Sequence, residues 1–178
     1  CQGYSEPESG SDLASLQTRA VEDGDDFIIN GIKVWTSSAH RADKMFILVR
    51  TNPDAPKHRG ISFLLIDDMK SNGIQVNPII DMADRHNFNM VTFDNVRVPK
   101  KNLVGELNRG WYVGATLLDF ERSGVEYSSR CLSLLEELIE FAKTNKRGGK
   151  LISEDPNIKK EITELYTEIN VSRGISFA

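Results

Sequence analysis

The sequence predicts an α+β fold: an antiparallel β-barrel or sandwich followed by the first helices of an up-and-down helical bundle. Three observations predict it. Up to about residue 105 the apolar residues come in short runs separated by turn formers, as strands do. Beyond Pro99 they recur at three- and four-residue spacing, as on an amphipathic helix. Nor does any helical stretch separate the strands, as a parallel, doubly wound sheet would require. Residues 1–105 are expected to form the β-domain and residues 106–178 a partial helical domain.

In chain order, Gln17 to Val21 reads as a strand, closed by a turn at Asp23-Gly24. Asp26 to Ile29, Asn30-Gly31 and Ile32 to Trp35 read as a hairpin, because Asn-Gly takes the positive φ angles of a type I′ turn. Further strands are expected at Lys44 to Thr51, Gly60 to Ile66, Ile74 to Ile79 and Met90 to Val98, with a polar loop from Asn52 to Arg59. A long helix should then run from about Gly110 to Lys146. It carries Leu132, Leu135, Ile139 and Ala142 on one side and Glu136, Glu137 and Glu140 largely on the other. Gly124 is tolerated inside it at a cost of about 1 kcal/mol relative to Ala, and Gly148-Gly149 breaks it. Asp155 as N-cap and Pro156 as first helical residue start a second helix with Ile158, Ile162, Leu165 and Ile169 on one face. Two antiparallel helices cannot bury both apolar faces on each other and a small β-domain. Further helices or a partner chain are therefore expected to cover them.

Composition narrows the function classes. Hydrophobic residues at 39% suffice for a core and exclude a disordered chain. A formal charge of -4 repels a phosphate backbone, so nucleic acid is not an expected partner. No run approaches the ~18 apolar residues of a membrane helix. Cys1 and Cys131 form no disulfide framework, which points to a reducing compartment: the cytoplasm, or the mitochondrial matrix in a eukaryote. The chain starts at Cys1 and stops within a helical pattern, as a piece of a longer protein would. His40, His58 and His86 lack helix-spaced metal partners and no acidic loop pattern occurs, so no metal is expected. The absence of GxSxG, Walker and GxGxxG segments disfavours an esterase or a nucleoside triphosphatase.

Three segments could carry chemistry. Tyr4-Ser5-Glu6-Pro7-Glu8-Ser9-Gly10-Ser11-Asp12 reads either as a loop aiming hydroxyls and amides at a polar ligand or as a surface turn capped by Ser11 or Asp12. Trp35-Thr36-Ser37-Ser38-Ala39-His40 offers a flat ring beside hydroxyls, suited to a planar heterocycle, or else is a core Trp followed by a polar turn. Asp119-Phe120-Glu121-Arg122 offers a carboxylate base and a guanidinium anchor, or is solvated helix surface. His86-Asn87-Phe88-Asn89 reads as a loop before a strand.

These segments together resemble the acyl-CoA dehydrogenase family over nearly the whole chain. Gly3-Tyr4-Ser5-Glu6-Pro7 with Gly10-Ser11-Asp12 is similar to its first signature, and Asn30-Gly31 with Lys33 and Trp35-Thr36-Ser37 to its second. Phe93 to Pro99, with Gly105 and Gly110, resembles the passage from the family's central β-domain into its C-terminal helices. The N-terminal helical domain and last helices of the family have no counterpart here.

The resemblance implies bound FAD and oxidation of an acyl-CoA thioester to the trans-2-enoyl form. Hydride passes to flavin N5 and electrons pass onward to an electron-accepting flavoprotein, as in fatty-acid β-oxidation. It further implies that Gln2, Tyr4, Ser5, Ser11, Trp35, Thr36 and Ser37 contact the flavin, with Trp35 walling one face and the Ser37 hydroxyl reaching N5. Ser11, Asp119 and Arg122 would hold the CoA portion. In most members the catalytic Glu lies late in the bundle, beyond residue 178; in a minority it matches Glu121, the candidate base of this chain. One departure stands out: Asn145 and Gly148 occupy positions where the family carries an Arg and a Phe that reach FAD across a subunit interface. Lys146 or Arg147 could replace that charge, or a different subunit could share the flavin. A homo- or hetero-oligomer is expected, with a related acyl-CoA oxidase and a non-catalytic assembly subunit as the alternative functions.

Overall fold

The computed structural model describes residues 1–177, and the chain divides into two compact units, Cys1–Leu117 and Leu118–Ala178. The first is built on one eight-stranded sheet. Its strands are β1 (Gln2–Gly3), β2 (Arg19–Asp23), β3 (Asp26–Ser37), β4 (Met45–Arg50), β5 (Ile61–Ile66), β6 (Ile74–Ile80), β7 (His86–Pro99) and β8 (Leu103–Val104). Their spatial order is β6-β7-β3-β2-β4-β5-β8, with β1 also paired to β4. Both β1 and β2 run parallel to β4, while the other pairs are antiparallel. The sheet is therefore mixed, and it is open with edges at β6 and β8 rather than closed as a barrel. Pro78 sits on the edge strand β6, where a missing N–H costs least.

Alternation explains most of the core. Phe27 and Ile29 of β3, Ile47 and Val49 of β4, Leu64 and Ile66 of β5, and Val91 and Phe93 of β7 pack into one cluster. In β7 the buried phase then shifts from Val91 and Phe93 to Val96 and Val98, because an extra residue bulges out at Asp94-Asn95, with Asn95 at φ 52°.

That bulge corrects the expected hairpin at Asn30-Gly31. β3 runs straight through these residues, and Asn30 spends its side chain on β7: Asn95 N donates to Asn30 Oδ1 at 2.9 Å. Gly31 is required by space, since a Cβ there would lie 2.7 Å from the Thr18 Cα. The true hairpin is one turn earlier, where Asp23 pairs with Asp26 around Gly24-Asp25 and Gly24 sits at φ 59°.

Helix α1 (Gly110–Arg122) starts against the sheet, and a Cβ on Gly110 would come within 2.1 Å of the Phe63 backbone nitrogen. The single long helix expected to Lys146 is two helices. Gly124, at φ 73°, takes the left-handed conformation and caps the start of α2 (Val125–Thr144), so its glycine chemistry ends one helix instead of being tolerated inside it.

In the second unit α2 is followed by a two-stranded ribbon of β9 (Lys146–Arg147) and β10 (Lys150–Leu151), then by α3 (Pro156–Ser176). Gly148 and Gly149, at φ 61° and 84°, form the ribbon's turn, and this is where type I′ chemistry is used. The second helix starts as expected: Asp155 Oδ1 accepts from Asn157 N at 2.9 Å, with Pro156 next to it. α2 and α3 pack antiparallel, yet only Ser128, Leu135 and Ala142 of α2, and no described residue of α3, are buried.

Candidate functional site

The two β-domain segments singled out from sequence are bonded to each other. The Val34 amide donates to the Ser5 carbonyl at 2.9 Å, linking the loop after β1 to β3. Beside it the Lys33 ammonium, fully buried, donates to Glu6 Oε1 at 2.7 Å and to the Tyr4 carbonyl at 2.9 Å. Glu6 is held further by the amides of Gln17 at 2.6 Å and Thr18 at 2.9 Å. Burial alone would raise the Glu6 carboxyl, but Lys33 and these amides outweigh it and keep it below its ordinary value. For Lys33, burial pulls the ammonium below its ordinary value and Glu6 opposes the pull. The pair is therefore a buried, multiply bonded rivet. Its sequence signal was Lys33 itself, a cation standing in the same strand phase as the core residues Phe27 and Ile29, where only a paired charge is tolerated.

The loop beyond Glu6 folds on itself. Glu6 and Ser9 exchange two backbone hydrogen bonds at 2.9 and 3.1 Å, and the buried Ser9 hydroxyl bonds the Asp12 carbonyl at 2.8 Å and the Ser15 hydroxyl at 2.9 Å. Ser11 is exposed at the tip, and Asp12 pairs with Lys57 at 2.6 Å. Gln2 and Ser5 are half-buried. Tyr4 is buried, its ring meeting Phe46 and Phe63 edge-on at 5.8 and 6.5 Å.

At the far end of β3 the pairing with β7 slips by one residue between Lys33 and Thr36, and the extra residue is accommodated at Trp35, at φ 58°. Such a bulge re-aims a side chain, and a non-glycine residue in this region is strained. The Trp35 ring is 60% exposed and is braced edge-on by Phe88 at 5.9 Å. Ser37 is exposed, whereas Thr36 between them is buried, its hydroxyl without a hydrogen-bond partner among the described residues. His86-Asn87-Phe88-Asn89, expected as a loop, opens strand β7 instead and is paired with both β3 and β6. Its polar side chains masked the strand pattern because Asn89 is satisfied inside the protein, donating to the Thr36 carbonyl at 2.9 Å. Phe88 and Asn89 are the site neighbours that the sequence reading missed.

The third segment lies in the other unit. Asp119, Glu121 and Arg122 are exposed near the C-terminal end of α1, and no ion pair engages them among the described residues. In the loop after α2, Asn145 Nδ2 donates to the Phe141 carbonyl at 3.0 Å and caps the helix, while Arg147 pairs with Asp155 at 2.8 Å. Among the described residues no group of three or more His, Cys, Asp or Glu side chains could hold a metal, and no helix is long and apolar enough to cross a membrane.

An exposed indole held by a strained bulge, the exposed Ser37 hydroxyl two residues on and the buried Thr36 hydroxyl lacking a partner form a set that fits a large planar heterocycle such as a flavin. Residues 1–96 match the model of the acyl-CoA dehydrogenase middle domain, and residues 108–177 that of the acyl-CoA dehydrogenase C-terminal domain. The chain is 38% identical to acyl-CoA dehydrogenase IpdE1 of Mycobacterium tuberculosis over 178 residues, which is all of this chain and 45% of that protein. It is 40% identical over 163 residues to acyl-CoA dehydrogenase FadE29 of the same organism, covering 92% of this chain and 42% of that one. In the crystal structure of the ChsE4-ChsE5 complex from M. tuberculosis, one chain matches with a TM-score of 0.71 at 36% identity, covering 99% of this chain and 45% of that chain. The chain thus spans less than half the length of these relatives. Two family models in the expected order, and a relative aligned along the whole chain, make this chain a member of the acyl-CoA dehydrogenase family.

Proposed function

We propose that this chain is the central β-domain and the first C-terminal helices of a cytoplasmic, FAD-dependent acyl-CoA dehydrogenase that converts an acyl-CoA thioester to its trans-2-enoyl form. The observation that carries the reading is the Lys33–Glu6 rivet with the Val34–Ser5 hydrogen bond, which brings the two signature segments side by side. Bound flavin would supply the two-electron acceptor for this oxidation. The residues that would hold it are Trp35, as a flat apolar wall, and Ser5 and Ser37, as hydroxyl donors to its polar edge, with Gln2, Tyr4 and Thr36 completing their surroundings. Lys33, fully buried, and Glu6, nearly so, keep these segments in register.

On the substrate side, Ser11, Asp119 and Arg122 would bind the CoA moiety, Arg122 through its planar guanidinium to phosphate or adenine. Glu121 is the candidate acceptor of the α-proton in this chain. Exclusion of water around a carboxylate raises its basicity, and Glu121 is exposed here, so contacts from further parts of the protein would have to cover it for that role.

The reading is tested on the full-length protein, purified with any co-expressed partner, by its visible absorption before and after anaerobic addition of a panel of acyl-CoAs. A flavin spectrum that bleaches is the expected result, and Ser37→Ala should weaken flavin binding or slow the bleaching. Rapid recolouring in air would instead favour an acyl-CoA oxidase. A second reading is favoured by one observation: Asn145 and Arg147 are spent on a helix cap and on Asp155, in the loop where the family presents its cross-subunit flavin contact. A colourless protein that takes up no FAD would establish an assembly subunit in place of a dehydrogenase.

A further inference from the structure

We infer that Asn89 is a positioning residue for the proposed flavin wall: through the Thr36 carbonyl it holds the Trp35–Ser37 bulge in its strained conformation, with His86 fixing the orientation of its amide. The inference rests on the reading of Trp35 and Ser37 as flavin contacts.

The argument starts from hydrogen-bond inventory. Asn89 is fully buried and lies opposite Thr36 in the β3–β7 pairing. A main-chain carbonyl can only accept, so the atom that faces the Thr36 oxygen at 2.9 Å must be the amide nitrogen. The Asn89 oxygen then faces His86 Nε2 at 2.8 Å, and that nitrogen must carry a proton to donate. The imidazole is fixed in turn by stacking on His40, with ring centroids 3.9 Å apart. Both amide groups of Asn89 thus have a partner, and its side chain has one orientation.

Every residue from His86 to Asn89 grips the segment that contains the bulge. Asn89 holds the Thr36 carbonyl, Phe88 braces the Trp35 ring at 5.9 Å, the Asn87 carbonyl accepts from the Ser38 amide at 2.9 Å, and His86 stacks on His40. Strain explains why a clamp belongs here. Trp35 and Ser38 both sit at φ 58°, a conformation that non-glycine residues keep only where surrounding contacts over-determine it. If the Thr36 carbonyl is released, the bulge can relax to regular pairing, which moves the indole and exchanges the faces of the residues that follow.

The test is Asn89→Asp in the full-length protein, a nearly isosteric change that sets an acceptor against the Thr36 carbonyl. Two readouts separate positioning from general stability: FAD dissociation constant with the shape of the bound flavin band, and amide hydrogen exchange resolved by peptide. The expected result is affinity weaker by about ten-fold, the equivalent of one buried hydrogen bond, with a changed flavin band and faster exchange confined to residues 35–40. His86→Ala should shift both readouts in the same direction by less. It also serves, with Asn89→Ser, should Asn89→Asp not fold. Unchanged affinity with unchanged exchange in 35–40 would overturn the inference, as would faster exchange spread evenly over β4 and β5, which marks a merely structural role. A wild-type protein that binds no FAD would remove the proposed function. The exchange pattern, which needs no flavin, then decides by itself whether Asn89 holds the bulge.

Discussion

The β unit and the helical unit differ in how completely each satisfies itself. In the β unit, fourteen residues form one buried cluster, and its buried charges are held as well, Lys33 by Glu6 and Arg50 by the Ala14, Leu16 and Lys57 carbonyls. In the helical unit the apolar stripe is plain, yet Leu134, Leu138, Phe141, Leu165, Tyr166, Val171 and Ile175 are each 44% to 71% exposed. A strand pair in a wide sheet completes its burial within the fold, whereas a pair of helices has only one mutual face and leaves the rest to further elements. The β unit therefore buries its core within itself, and the helical unit leaves most of its apolar stripe exposed.

The comparison is broken or sharpened by substitutions of decreasing effect. Lys33→Ala leaves Glu6 buried without its cation and is expected to cost about 3–5 kcal/mol in urea unfolding, and the double change Lys33→Met with Glu6→Leu should remain destabilising, because it removes the acceptor of the Gln17 and Thr18 amides and the donor to the Tyr4 carbonyl. The same pair sets an acid limb. Glu6 is held below its ordinary 4.5, so the stability it contributes is complete above pH 4.5 and is lost as pH falls through its folded value. Glu6→Gln should abolish that part of the pH dependence.

Ile47→Ala, at a fully buried site, should cost about 2–5 kcal/mol, while Leu138→Ala, 45% exposed, should stay near 0.5 kcal/mol in the isolated chain. If Leu138→Ala costs as much as Ile47→Ala, the two units are not different in kind. Between these two falls Asp155→Ala, about 1 kcal/mol from a lost N-cap, read as reduced helicity by circular dichroism.

Much of the site was legible before the fold, but unevenly. Trp35 and Ser37 could be picked out because a flat ring beside hydroxyls is unusual chemistry wherever it lies. Glu6 and Lys33 stood in the quoted segments, yet nothing local said that they meet: their contact spans 27 residues. Asn89 and Phe88 were missed because a polar run reads as a loop when its hydrogen-bond partner is on another strand. The Asn30-Gly31 hairpin failed for a related reason. Asn-Gly permits a tight turn, but here Asn95 pairs with the Asn30 side chain and Thr18 crowds Gly31, and these contacts favour a bulge.

Local chemistry alone dictated the strand runs from Met45 to Ile80, the Asp155-Pro156 helix start and the motifs that mark the family, because periodicity, capping and turn preferences act over a few residues. Only tertiary structure decided that the sheet stays open, that Gly124 ends a helix, that Trp35 projects from a bulge, and that Asn89 reaches Thr36. Each of these depends on which distant backbone arrives alongside. That is a matter of burial and hydrogen-bond satisfaction summed over the whole fold, and no short window of sequence contains it.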